Sequence, residues 1–241
     1  SITLLRLPRN FGLVRALNIG MRTAKGDYYL FLTPEIEVSR DAVARLAEEL
    51  DRSPQAAAVC PLVAGEGGEV MTRVHPLPLP AELLRAWQSG ELEGWMAPRV
   101  ADEPVEADYF KPPVFMIRSY FLKGLRYIDE RYGTAWWDLE IATQILKASR
   151  KVLLVPEARV TAHAEADVAR WPAGVRGLLA ADRALGAALW CSKHYGRFQG
   201  AMFRLRATLR ALAGVLSLRD AACRWATLRY LISGQKFDGS F

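Results

Sequence analysis

Cysteine is scarce in this chain: three among 241 residues, at Cys60, Cys191 and Cys223. They are odd in number, far apart and never in a CxxC pair. That excludes a disulfide framework and a zinc site, and it points to a reducing compartment. No apolar run is long enough for a membrane-spanning helix. No internal repeat or low-complexity tract occurs. No secretory signal is visible, although a cut amino terminus would hide one. Ser1 stands where a methionine would, and Ile2-Thr3-Leu4-Leu5 already reads as a strand, so the chain is expected to be cut or processed at its start. What is left is globular: 51% hydrophobic and 24% charged residues bury a core. The length suits one full domain with an appendage.

Acidic residues are what the last part of the chain lacks. From Arg170 to the end there are 12 Lys or Arg against 3 Asp or Glu; up to Ala169 there are 20 against 23. The net charge of +6 is therefore a mildly acidic body with a basic tail. Such a tail is expected to face phosphate, on lipid or on nucleic acid. It has no zinc spacing, and its arginines are threaded through leucines rather than grouped, which argues against a nucleic-acid-binding module.

The pattern predicts a strand at Ile2–Leu7, a turn at Arg9-Asn10-Phe11-Gly12 and a helix over Leu13–Ala24. Tyr28 to Leu32 reads as a buried strand. A helix starts at Ser39 or Asp41 and runs to Leu50. Ala56–Val63 is the next strand. His75–Trp95 is proline-rich and weakly helical, and is expected to pass over the surface. Val114–Ile117 reads as a short strand, Trp137–Leu146 as a helix, and Lys151–Val155 as a strand stopped by Pro156. This alternation predicts an α/β layered domain with mostly parallel strands, in which ligands collect beyond the carboxyl ends of strands. Glu35, just after Leu32, has that position. Beyond Arg170 only helices are expected. Met202, Leu205, Leu209, Leu212 and Leu216 form one stripe there, which suits either a core face or, with Arg206 and Arg210 beside it, an interfacial helix.

Chemistry-bearing residues are sparse. Thr33-Pro34-Glu35 closes a strand, and Trp137-Asp138-Leu139-Glu140 opens a helix. Val155-Pro156-Glu157-Ala158-Arg159-Val160 precedes His163, which shares a strand face with Arg159 and Thr161. Asp138 at a helix start suits a general base, and equally a helix cap. Glu140 points about 200° away from it and is expected at solvent or a neighbouring loop. Glu35 and Glu37 read either as a hard-oxygen cation contact or as a solvated turn. His163 is a cation contact or a structural histidine. His75 and His194 have no chemical context. Trp136 and Trp137 would stack on a ligand ring or simply pack. Asn10 and Gly12 suit a tight turn without any ligand.

In this order the motifs resemble glycosyltransferase family 2, of the rhamnosyltransferase-like kind. The carriers are Asn10-Phe11-Gly12, Asn18, Gly26-Asp27 and Thr33-Pro34-Glu35. Then come Tyr127-Ile128-Asp129-Glu130-Arg131, Trp137-Asp138-Leu139-Glu140-Ile141, and the Val155–Val160 segment with His163. The resemblance spans Leu4 to His163. It implies a GT-A-like (Rossmann-like), mostly parallel sheet with helices on both faces. The transferase body would be residues 1–169, and residues 170–241 a basic helical extension. It implies inverting transfer of a hexosyl or deoxyhexosyl unit from a nucleotide-sugar donor to a glycan or lipid-linked acceptor. A divalent cation, Mg2+ or Mn2+, would assist.

On the positions that match, Asp138 would be the base. Arg9, Asn10, Asn18 and Glu35 would bind the donor; Asp129, Glu130, Trp136 and Trp137 the acceptor; Glu35 and His163 the cation. The chain depicted is cytoplasmic and peripheral at the inner face of a membrane, with an anionic surface met by the extension. It departs from the pattern at Glu35, Trp137, Glu140 and Lys111-Pro112-Pro113. The segment that holds the nucleotide base in the family is expected to be missing before Ser1. A non-catalytic binding or assembly subunit with the same fold is the alternative these departures leave open.

Overall fold

The central strands are almost continuously apolar, and successive side chains point to alternate faces, both of them buried. The computed structural model describes residues 4–98, 103–163, 168–216 and 220–234. β1 (Tyr28–Phe31), β3 (Ala56–Gly65), β7 (Phe115–Arg118) and β8 (Lys151–Ala162) form the centre of one sheet, with β2 (Ile36–Val38) and β5 (Val105–Glu106) along β8. Tyr29, Phe31, Ala58, Cys60, Val152 and Leu154 point to one face. Val59, Val63, Leu153 and Val155 point to the other and meet Ala42, Leu46 and Leu50. Those three belong to α2 (Arg40–Arg52), whose N-terminus is capped by Ser39 Oγ accepting from Ala42 N at 3.1 Å.

The first face is covered by α1 (Leu13–Thr23), α5 (Trp137–Lys147) and α6 (Ala173–Tyr195). α7 (Arg197–Leu216) and α8 (Ala221–Ser233) pack on α6 and on each other. Ala181, Ala184, Ala187 and Trp190 of α6 are buried in the same core as Leu139 and Ile145 of α5. A short helix α4 (Ser119–Gly124) follows β7, and β4 (Arg73–His75) pairs with β6 (Tyr109–Lys111) in a separate ribbon.

The α/β architecture and the helical C-terminal region are as expected, but several details are not. Among the described residues only β3 and β8 pair in parallel; β1–β7, β3–β7, β2–β8 and β5–β8 are antiparallel. A parallel neighbour needs a crossover that returns the chain to the starting edge. The long excursion between β3 and β7 instead brings β7 back in the opposite direction. Leu4 to Leu7 form no strand, and the first residues of the predicted Ile2–Leu7 strand lie outside the described residues.

Pro156 does not stop its strand. β8 runs on to Ala162, and the proline is absorbed where the register jumps from Pro61↔Val155 to Leu62↔Arg159. Nor is His75–Trp95 a surface passage. It folds as α3 (Pro80–Ala86), where Glu82 Oε2 accepts from Leu79 N at 2.6 Å, and it buries Leu83, Leu84 and Trp87. Finally, the face of α7 that enters the core is Gly200, Phe203, Ala207 and Ala211, while Leu205, Leu209, Leu212 and Leu216 point out.

Candidate functional site

Two neighbouring clefts open beyond the strand ends. One, of about 260 Å³, is lined by Tyr109, Lys111, Trp136, Trp137, Asp138 and Arg183 among others. The second, of about 530 Å³, is lined by Glu35, Glu69, Arg73, Trp95 and Pro112. Glu91, Lys111 and Pro113 belong to both walls, so Asp138 and Glu35 line adjacent clefts with a common wall. Lys111 Nζ donates to the Gly90 carbonyl at 2.8 Å and lies 5.8 and 5.9 Å from the ring centres of Trp95 and Trp136. Its charge is thereby held on the ridge between the two clefts.

Asp138 sits in the first turn of α5 without capping it; the residue before the helix is Trp136, in the left-handed region at φ 66°. A non-glycine residue there costs about 1–2 kcal/mol, so its neighbours must hold it. They come from α6. Trp136 Nε1 donates to the Arg183 carbonyl at 2.9 Å, and Gly186 lets the indole approach: a Cβ there would lie 3.2 Å from Trp136 Cδ1. Buried Asp182 accepts from Thr134 N at 2.7 Å and Thr134 Oγ1 at 2.8 Å, fixing the loop into Trp136. Trp137 packs on Phe31 and Phe115. Both tryptophans are buried, and both line the smaller cleft.

Tyr109 Oη donates to Asp138 Oδ2 at 2.8 Å. Burial, then the charge of Asp138, push the Tyr109 hydroxyl far above its ordinary range, so it stays protonated as a donor. One carboxylate oxygen of Asp138 is thus held, on the edge of the cleft.

Glu140 is not at solvent. Its carboxylate is buried and takes Lys193 Nζ at 2.6 Å, His194 Nε2 at 2.7 Å, Gln144 Nε2 at 2.8 Å and Tyr132 Oη at 2.9 Å. The 200° offset from Asp138 is real, but the opposite side of α5 faces α6, not water. Burial acts to raise its pKa; the bonds from His194, Lys193 and Gln144 outweigh it and bring it down to about 2.

The other predicted residues are dispersed. Buried Asn18 clamps the Ile128 backbone, donating to its carbonyl at 2.8 Å and accepting from its N–H at 3.0 Å. Glu130 pairs with Arg15 at 3.3 Å and accepts from Asn18. Asp129 is bound by Arg131 and Lys193 and lines a cavity of about 280 Å³ that shares no residue with the Asp138 cleft. Burial acts to raise its pKa, but the bonds from Arg131 and Lys193 hold the carboxyl well below the usual range. Exposed Arg9 lies over Phe11, and Asn10 Oδ1 accepts from Gly12 N at 2.9 Å, which is the tight turn.

His163 meets Glu35 through the backbone, its N–H donating to the Glu35 carbonyl at 2.8 Å. Its exposed ring instead contacts Glu66 at 2.6 Å and Glu37 at 3.0 Å, and these carboxylates, Glu66 first, raise its pKa. Among the described residues no three His, Cys, Asp or Glu side chains are grouped to hold a metal ion. What the larger cleft offers is the hard oxygens of Glu35 and Glu69. That suits a cation completing its shell with substrate phosphates.

Tyr109, Lys111, Asp182, Arg183 and Gly186 were not among the residues the sequence singled out for this site. Lys111 alone left a trace there, as a departure from a family pattern.

The model of the family described as "Glycosyl transferase family 2" matches residues 1–100. No curated protein matches the chain. Among solved structures, GalNAc-T7 with UDP, GalNAc and Mn2+ is 17% identical, with a TM-score of 0.58; the match covers 95% of this chain and 44% of that one. The chain thus spans less than half the length of that protein. PcManGT, a mannosyltransferase from Pyrobaculum calidifontis in complex with GDP-Man and Mn2+, is 15% identical over 96% of this chain and 67% of its own, at a TM-score of 0.48. S. aureus TarS 1–349 is 12% identical over 94% and 72%, at 0.44. Only the first of these bears on the fold, and on the fold alone: it is the GT-A-like α/β fold expected. No helix among the described residues is long and apolar enough to cross a membrane.

Proposed function

We propose that this chain is a family-2 glycosyltransferase. It would move a hexosyl or deoxyhexosyl unit from a nucleotide-sugar donor to a glycan or lipid-linked acceptor, with inversion. The observation that carries this reading is Asp138: a carboxylate on the wall of one cleft, next to the cleft that Glu35 lines, with one oxygen held by Tyr109. The family match over residues 1–100 and the fold support it.

In this reading Asp138 takes the proton of the acceptor hydroxyl as that oxygen attacks the anomeric carbon. The nucleoside diphosphate leaves from the opposite face. Tyr109 keeps the carboxylate oriented. Lys111, on the ridge between the two clefts, places a positive charge where negative charge grows. Glu35 and Glu69 would hold a divalent cation, which when bound neutralises the diphosphate as a Lewis acid. His163, tied to Glu37 and Glu66, supports the rim rather than the cation. Residues 1–169 are the transferase body, and residues 170–241 an extension whose Arg183 completes one wall of its cleft. The work is cytoplasmic, peripheral at the inner face of a membrane.

The test is Asp138→Asn, assayed against a panel of nucleotide sugars. Transfer should fall by about 10²–10⁴-fold, with donor affinity and unfolding midpoint unchanged. Equal turnover in the variant would remove Asp138 from the mechanism. Donor binding without transfer by the unaltered chain would favour the binding-subunit alternative.

A further inference from the structure

α7 is apolar on two sides, and only one of them is used. At 100° per residue, Gly200, Phe203, Ala207 and Ala211 fall within about 80° of arc, and Leu205, Leu209, Leu212 and Leu216 within about 60° centred almost opposite. The first set is buried against α6 and α8. The second is open: Leu205 is 50% exposed, Leu209 54% and Leu216 75%, and Phe198 at the start of the helix is 72% exposed. Apart from Phe203, small residues face the core and the leucines face out, the reverse of a helix whose only task is packing.

Charge borders this stripe on both sides. Arg206 lies about 90° to one side of it, and Arg197 and Arg204 about 90–110° to the other. Residues 197–216 contain no Asp or Glu. Arg204 donates to the Leu231 carbonyl at 2.6 Å, and Arg210 to the Leu84 carbonyl. Carbonyl partners fix these guanidinium groups without neutralising them. No ion pair of Arg197, Arg204, Arg206 or Arg210 with a carboxylate occurs among the described residues. On the adjacent helix α8, Trp225 and Ile232 are also exposed.

We infer that the outer face of α7 docks on a membrane surface of anionic lipid, lying in the interface with its leucines inserted and its arginines at the phosphates. A second copy of the chain fits poorly, because two such faces would bring arginine against arginine. Nucleic acid would use the arginines and leave the leucines wet. This deepens the peripheral placement proposed above by naming the surface that makes it, and it stands whether or not the cleft moves a sugar. If that reading holds, the docked face would keep the cleft beside a lipid-linked acceptor.

The test uses the whole chain in co-sedimentation with phosphatidylcholine vesicles, with and without phosphatidylglycerol. Binding to the anionic vesicles only, weakened by added salt, is expected. Leu205→Ser with Leu209→Ser should weaken it about tenfold or more, and Arg206→Gln about fivefold. The exposed positions predict wild-type unfolding midpoints for these variants, which separates lost docking from lost folding. No binding to anionic vesicles, or equal binding to neutral ones, would overturn the inference. So would indifference to the leucine substitutions, or a dimer in size exclusion that those substitutions dissolve. None of these readouts depends on transfer activity.

Discussion

Two carboxylates on one helix, two residues apart, have opposite fates. Among the described residues Asp138 has a single donor, the Tyr109 hydroxyl, and it borders a cleft. Glu140 is buried and saturated by Lys193, His194, Gln144 and Tyr132. The difference lies in what each side of α5 meets: a cleft roofed by the β4–β6 ribbon on one side, the end of α6 on the other. A carboxylate with spare lone pairs beside an open cavity is equipped to take a proton. One with every lone pair engaged is equipped to hold two helices together.

The comparison breaks if the roles exchange. Asp138→Asn carries the largest expected effect, on transfer and not on folding. Glu140→Ala should do the reverse. It leaves Lys193 and His194 without their shared anion and should cost about 3–5 kcal/mol of stability, as breaking buried pairs does. Its measure is a denaturant midpoint, with transfer per folded molecule little changed. A stable Glu140→Ala protein with lost transfer would place the chemistry on the wrong carboxylate.

Acid sharpens the contrast. The folded pKa of Glu140 is depressed from 4.5 to about 2, so its contribution is present above the unfolded value and lost as pH falls from about 4.5 towards 2. Within that window stability should fall by up to about 1.4 kcal/mol per pH unit from this one group. The depressed Asp129, bound to the same Lys193, should extend the loss to lower pH. Thermal melts across this range should show the slope, and Glu140→Gln should flatten it. An equal slope in that variant would mean that other groups govern acid unfolding.

The sequence made the elements legible more readily than their surroundings. Continuous apolar runs marked β1, β3 and β7, and Ser39 marked the start of α2 within a residue. Asp138 and Glu35 could be singled out because both stand at element ends, where side chains reach a cleft. Three failures share one cause. Periodicity reports which residues share a face and not what that face meets. Glu140 was correctly turned from Asp138, yet α6 rather than water lay there; its partners Lys193 and His194 are some fifty positions away and carry no local signal. The α7 leucines were correctly one stripe, but the core took the smaller Gly200, Ala207 and Ala211, which hydrophobicity alone ranks below leucine. Asn18 looked available for a ligand because its clamp on Ile128 spans 110 positions.

The smallest effect tests the finest part of the contrast, the single bond that Asp138 keeps. Tyr109→Phe removes only the donor; the ring stays in a site where Tyr109 is almost fully buried and close to Trp95. A hydrogen bond to a charged acceptor contributes about 1.5–3 kcal/mol. If most of it serves to hold the carboxylate at its working angle, kcat should fall about tenfold or somewhat more, with KM close to wild type. A change in KM alone would assign Tyr109 to the cleft wall. A loss as large as that of Asp138→Asn would mean that the hydroxyl itself is part of the proton-transfer machinery and that Asp138 does not act through its free oxygen. In either case Glu140, which gives one of its four bonds to the analogous hydroxyl of Tyr132, supplies the control. Tyr132→Phe removes the same group from a saturated carboxylate and should lower stability while leaving kcat unmoved.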